Sequence, residues 1–298
     1  MKKVLVINYS NSGQLNDIIT NLTQELKADI DRVNFYPKDK FPFPWNRKVF
    51  FDQMPESVLE IPREIDPIDF KYDHYDLVIL GHQPWYLSPS IPTNSLFHYQ
   101  PFLDRIRNAP VITVIGARNL WLSAQESVKE KLKSAGANLV ANLPFVDKSN
   151  NALGVISIAY WLLTGKKKRP LGIFPKPGVA EEDIKKAELY TPLIQEALDE
   201  NNYATLQDQC LGLKMIQVDA AFAFAEPKAK KVFRLWAKTI VKKKNRRRWV
   251  KLFVYYLLFV IYIVVPIELT LYYLLIYPFT IKRINQKKAY FCSVNFAE

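Results

Sequence analysis

The chain has 298 residues with 41 Lys and Arg against 29 Asp and Glu, a formal net charge of +12. That length suffices for one large domain or two smaller ones with a substantial core. Two cysteines, Cys210 and Cys292, argue against a disulfide framework, and the three histidines, His74, His82 and His98, lie in one short region without metal-ligand spacing, so no metal site is expected.

In chain order, "KVLVIN" (residues 3–8) reads as a buried strand. The polar turn "YSNSGQLN" follows, then a helix over Gly13–Leu26 with apolar residues at Leu15, Ile18, Ile19, Leu22 and Leu26. "DIDRVNF" predicts a second strand, and Tyr75–Gly81, Ala109–Ala117 and Ala137–Phe145 predict three more. A helix is expected over Leu120–Ala135. Strands that are apolar throughout are buried on both faces, as in parallel sheets covered by helices. The alternation predicts an open, doubly wound α/β domain over residues 1–165, closed by the basic break "LTGKKKRP". A helical extension over residues 166–227 follows, with a helix at Glu181–Leu198.

The charge is segregated. Residues 228–298 carry 16 basic and 2 acidic groups, +14, which leaves −2 on residues 1–227. "KKKNRRRWVK" precedes an apolar run over Leu252–Ile281, and "KRINQKK" follows it. About 20 apolar residues span a bilayer as a helix, so this run predicts membrane association and argues against nucleic acid as the partner of the basic residues. Pro266 and Glu268 near its middle and basic flanks on both sides predict a re-entrant hairpin bent at Val265–Pro266, in one leaflet; a single tilted, kinked helix is the alternative. Basic clusters attract anionic lipid. The expected arrangement is a body at the cytoplasmic face of the cytoplasmic membrane, tethered by a detachable tail.

In such a sheet ligands bind beyond the carboxyl ends of the strands. Three loops meet there. The first, Ser10, Asn11, Ser12, Gly13, Gln14 and Leu15, supplies hydroxyl and amide donors at a helix start, which favours an anion. It has no lysine and no GxGxxG pattern, so it is neither a Walker A loop nor a dinucleotide fingerprint. The second, "GHQPWYLSPSIPT", brings His82, Gln83, Pro84, Trp85 and Tyr86; the third, "GARNLWLSAQE", brings Gly116, Ala117, Arg118, Asn119 and Trp121. A polar phosphate pocket beside an aromatic wall fits flavin mononucleotide (FMN), with those three groups of loop residues as its contacts. His82, Tyr86 and Arg118 are the candidate catalytic side chains: an imidazole exchanges protons near neutral pH, and a guanidinium holds an enolate. "FPFPWNRKVFFD" is expected to form a lid or a dimer contact.

The loop Ser10-Asn11-Ser12-Gly13-Gln14 resembles the phosphate loop of the flavodoxin-like superfamily, with Leu15 where a Thr or Ser is usual. That resemblance implies a five-stranded parallel sheet of order 2-1-3-4-5. Over about residues 1–190, "SNSGQL", "FPFPW", "PESVLEIP", "GHQPWYLSPSIPT" and "VITVIGARNLWL" resemble the bacterial dialkylresorcinol condensing enzyme family of aryl-lipid and flexirubin biosynthesis. The resemblance implies an FMN-dependent oxidoreductase that aromatises a dialkyl cyclohexanedione, the product of a partner ketosynthase, to a dialkylresorcinol. It also allows a homodimer. The alternatives are a flavin-dependent NAD(P)H or quinone oxidoreductase and a non-enzymatic scaffold for the ketosynthase.

Overall fold

The computed structural model describes residues 1–149 and 151–296. Five strands, β1 (Lys3–Asn8), β2 (Asp29–Asn34), β3 (Leu77–His82), β4 (Pro110–Ala117) and β5 (Asn138–Val146), form one parallel sheet in the order β2-β1-β3-β4-β5. This is the doubly wound order of the flavodoxin-like fold, and it agrees with the sequence expectation. Val4–Ile7, Leu77–Leu80 and Val111–Ile112 are buried because helices cover both faces. Alternate residues of β1 divide between two cores: Val4 and Val6 meet helix α1 (Gln14–Thr23), whereas Leu5 and Ile7 meet Phe35, Phe102 and Val128 on the other side.

Gly81, at the carboxyl end of β3, lies so close to β1 that an added Cβ would stand 2.7 Å from Asn8 Cβ. The third and fourth strands can therefore abut α1. On the opposite face runs α2 (Leu122–Ser134), and α3 (Asn151–Thr164) follows β5. The helix expected at Glu181–Leu198 is three pieces, Glu181–Lys185, a 3-10 turn Lys186–Tyr190, and Thr191–Glu200. Pro192 explains the break before the last piece, since it has no N–H to offer an i−4 carbonyl. These pieces pack Ile184, Tyr190, Ile194 and Leu198 onto α1, within the first core.

The tail departs from expectation. Helix α4 (Ala220–Val241) carries Pro227 inside it, so the boundary placed after residue 227 falls within a continuous helix. The run beyond it forms no hairpin. Residues Arg246–Cys292 are one helix of 47 residues, here α5, long and apolar enough by length and composition to cross a membrane. A π turn over Val260–Val264 lies just upstream of Pro266, where the loosened backbone accommodates the missing proline donor. Glu268 is paired with Lys228 at 3.5 Å, which removes the need for a bend at that carboxylate.

The tail is also tied to the body at both ends. Arg246 grips Glu56 with both guanidinium nitrogens at 2.5 Å, and Val250 and Phe253 share a core with Met54 and Val58. At the far end Tyr290 donates to Glu126, Gln207 Nε2 donates to the Cys292 carbonyl at 2.6 Å, and Lys129 Nζ donates to the Asn295 carbonyl at 2.9 Å. These contacts join the tail to the body at both of its ends.

Candidate functional site

Beyond the carboxyl ends of β1, β3 and β4 lies a slot of about 240 Å³. Its floor comes from the turn between β1 and α1. Gly13 adopts φ 84°, a left-handed conformation open to glycine, and this lets the chain enter α1 directly. An added Cβ at Gly13 would meet nothing within 4 Å. Among the first N–H groups of α1, that of Leu15 donates to Ser10 Oγ and that of Asp17 to the Gly13 carbonyl, which ties the turn to the helix start. Asn11 Nδ2 is buried without a hydrogen-bond partner, while its Oδ1 accepts from the Tyr9 hydroxyl at 3.0 Å. An amide donor held in place with nothing to donate to, beside a helix start, is a cradle for an anionic oxygen.

Of the residues the sequence assigns to the site, Asn11, Ser12, Gln14, Leu15, Gln83, Pro84, Trp85, Tyr86, Gly116, Ala117 and Arg118 line this slot. Ser10 does not; its Oγ accepts the Leu15 N–H at 3.3 Å and shapes the turn. Leu15 is fully buried under Gly116, so its side chain packs where the usual hydroxyl would bond. Asn16 does not substitute for that hydroxyl, because it accepts from Asn8 Nδ2 at 2.5 Å. Gln14 is committed to structure: its amide exchanges two hydrogen bonds with the backbone of Val179, at 3.0 and 2.9 Å.

The aromatic wall is deeper than expected. Trp85 meets Trp45 edge-on at 5.4 Å between ring centroids and Phe41 at 5.0 Å. Phe50 and Tyr86 continue the wall, with the Tyr86 hydroxyl donating to the Phe50 carbonyl at 2.9 Å. Burial pushes that phenol well above its ordinary pKa, so it stays protonated. Opposite stand Ile158, Trp161 and Leu162 of α3, which sequence reasoning did not assign to the site. The Trp45 N–H donates to the Leu162 carbonyl at 2.6 Å, so "FPFPW" and α3 form two walls of one slot. The prolines and aromatics of "FPFPW" were the available signal; α3 carried none.

Arg118 reaches into the slot along α3, its Nη2 only 2.6 Å from where a Cβ on Gly154 would be. Burial lowers its pKa and Asp147 opposes that shift, which leaves a cation with little water around it. Tyr262 of α5 lies within electrostatic reach of the same guanidinium.

Three candidates are corrected. His82 is fully buried and does not line the slot; its Nε2 pairs with Gln125 Oε1 at 2.9 Å. Gln125 Nε2 in turn donates to Thr113 Oγ1 at 3.0 Å, so the imidazole belongs to a buried polar network under the sheet. Burial drives its pKa down to about 4, which removes it as a proton relay at neutral pH. Asn119 and Trp121 line a separate, larger cavity of about 980 Å³ between the end of β5 and the helical extension. The chain from Ala117 to Trp121 is a partition: Arg118 faces one cavity, Asn119 and Trp121 the other.

A third hollow, of about 490 Å³, opens between α4 and α5, walled by Phe224, Phe259, Ile263, Ile267, Leu271 and Tyr272. It is nearly all apolar and adjoins the stretch of α5 that carries Tyr262.

The strand order is that of a flavodoxin-like α/β fold, and the slot lies at its switch point. No protein-family model matches the chain, and no curated protein sequence matches it. Among solved structures it is similar to a flavoprotein in complex with FMN from Lactobacillus acidophilus NCFM, at 19% identity and a TM-score of 0.41, over 48% of this chain and 93% of that one. A putative flavoprotein from Bacteroides uniformis gives 14% identity and 0.38 over 56% and 99% of the two chains. Oxidised Flavodoxin 1 from Bacillus cereus gives 16% and 0.32 over 64% and 95%.

Proposed function

We propose that the protein binds FMN in the slot and oxidises a dialkyl cyclohexane-1,3-dione to the dialkylresorcinol. The observation that carries the cofactor reading is Asn11 Nδ2, buried without an acceptor where α1 begins and where the aromatic slot opens. Asn11 and Ser12, at the start of α1, would hold the phosphate; Trp85 and Trp161 would flank the ring system. When bound, FMN supplies acceptance of a hydride at its ring nitrogen.

The chain's own residues suit the dione. A 1,3-dione is a vinylogous acid whose negative charge lies on its two oxygens, so the site needs a fixed cation there; the proton lost on aromatisation leaves from the ring carbon next to the one that gives up hydride. Arg118 supplies the cation, desolvated and therefore strong. Loss of a proton from C4 and of hydride from the adjacent C5 leaves a neutral cyclohexenedione, and shift of its remaining acidic ring-carbon protons to oxygen completes the aromatic ring. The ring loses two hydrogens in all, one as proton and one as hydride. Protonated Tyr86 keeps its donor on Phe50 and bounds the slot without competing for the enolate. The apolar hollow between α4 and α5 has the chemistry for an alkyl chain, and a ketosynthase is the class of enzyme that supplies such a substrate.

The test is purification of the full chain, absorbance, and anaerobic mixing with a dialkyl cyclohexane-1,3-dione. Bleaching of the flavin band with one resorcinol formed per flavin supports the proposal. Bleaching only by NAD(P)H, with reoxidation by a lipid quinone, assigns the quinone oxidoreductase instead. Colourless protein that FMN cannot reconstitute leaves the scaffold reading.

A further inference from the structure

We infer that α5 lies flat in one leaflet of a membrane, as an in-plane strap that docks the protein onto an anionic lipid surface. The inference stands apart from the cofactor. At 1.5 Å per residue the 47 residues extend about 70 Å, more than twice the ~30 Å of a bilayer core. A spanning helix would carry one end to the far side. Here Arg246 at one end and Tyr290 and Cys292 at the other bond the same body, so both ends must remain on one side.

A regular row of exposed apolar side chains runs along α5, its middle part bordering the hollow beside α4. Tyr255, Phe259, Ile263, Ile267, Leu271, Leu275 and Phe279 recur every fourth residue, and each is between 49% and 86% exposed. In an ideal α-helix such a row would drift around the axis, since a turn holds 3.6 residues. The π turns at Val260–Val264 and Tyr272–Ile276 each hold more than that and bring the row back into line. The body side of α5 is quite different: Phe253, Tyr272 and Ile284 are buried against protein. Leu274, Tyr273 and Leu258 are exposed off this row as well, so α5 offers apolar surface to lipid around much of its girth while both of its ends stay bonded to one body.

Charge selects the surface. Seven basic residues stand between Lys242 and Lys251 and four between Lys282 and Lys288, bracketing the row at both ends. Each adds attraction to anionic headgroups at the level where an in-plane helix rests. Basic flanks at both ends also place the leaflet on the cytoplasmic side. The apolar hollow between α4 and α5, walled by Ile263 and Ile267 of this row, then opens at the lipid surface.

The experiment uses the full chain and sealed vesicles of phosphatidylcholine, with and without phosphatidylserine. Flotation should rise at least about tenfold with phosphatidylserine and fall with salt. Ile263→Glu with Ile267→Glu should abolish flotation while circular dichroism and melting stay as in the parent, because both side chains are about half exposed and can turn the carboxylate to water. Lys244→Cys and Lys287→Cys should each react, above the parent's cysteine background, with an impermeant maleimide added on the same side as the protein. Protection of one of the two cysteines would show a span and overturn the inference. A protein that ignores both vesicle types and sediments as a dimer through this row would overturn it in favour of a second copy.

Discussion

The carboxylate of Glu226 accepts the backbone N–H of Ser123 at 2.7 Å and that of Leu122 at 3.3 Å, so a residue of α4 caps the first turn of α2. Lys230, one turn along α4, donates to the Ser123 carbonyl and to Ser127, and pairs with Glu60 at 3.7 Å. This is the joint between the start of the tail and the loop that carries Arg118. Burial, with the two backbone bonds opposing it, raises the Glu226 pKa from 4.5 to about 7. Between those values the folded chain binds more protons than the unfolded one, so stability falls as pH rises from about 4.5 to 7, by up to about 3 kcal/mol. Glu226→Gln should flatten that dependence and keep the cap. Glu226→Ala should cost about 1–3 kcal/mol for each N–H left bare, measured by denaturant unfolding.

His82 has the opposite sign. Its pKa is lowered from 6.5 to about 4, so its contribution is present above about pH 6.5 and is lost as pH falls towards 4. His82→Ala should lower stability at neutral pH by a few kcal/mol, about 1–3 of it for the unpaired Gln125, and should weaken the acid dependence. Flavin affinity should be unchanged, since the imidazole does not reach the slot. A loss of affinity without a loss of stability would restore His82 to the site.

The reason His82 looked catalytic lies in the period of a strand. It is the last residue of β3, and neighbouring side chains alternate between the faces of the sheet. Gln83 reaches the slot and His82 points into the polar network under it. Arg118 and Asn119 part in the bend just beyond β4, one lining the slot and the other the larger cavity. Loop position was legible in the sequence; the facing of each loop residue was not, because that depends on where the strand ends. The sheet was legible because "KVLVIN", "LVIL" and "PVITVIGA" are apolar throughout, which only burial on both faces requires. The far wall was hidden because α3 is apolar over most of its surface, and nothing in its pattern separates Ile158 and Trp161 from ordinary core. The hairpin expectation failed on two local events that no pattern shows, a π turn before Pro266 and a partner, Lys228, for Glu268.

Flavin binding gives a third test. Asn11→Ala with Ser12→Ala removes two side-chain donors from the anion cradle, at about 1.5–3 kcal/mol per bond to a charged group. FMN affinity should fall by at least about tenfold by fluorescence titration, with the melting temperature within a few degrees of the parent. Ser10→Ala should have a smaller effect through the turn alone, since Ser10 serves the Leu15 N–H. Equal losses in the two variants would mean that the phosphate is bound elsewhere.

Gly154 gives the most selective test of Arg118. The glycine lies inside α3, where alanine is normally the better helix residue by up to about 1 kcal/mol. An alanine Cβ would stand 2.6 Å from Arg118 Nη2, and that atom ends a flexible side chain, so the guanidinium would move and the helix would not. Gly154→Ala should therefore leave stability equal or slightly higher and FMN affinity near that of the parent. Turnover of the dione should fall by at least about tenfold, because displacing a stabilising group by a fraction of an ångström forfeits much of its effect on developing charge. Arg118→Ala should fall further, and exogenous guanidinium should restore part of its rate but none of the rate lost in Gly154→Ala, where the cation is present and misplaced. If Gly154→Ala turns over as fast as the parent while Arg118→Ala does not, the guanidinium acts through its charge alone, at any position in the slot.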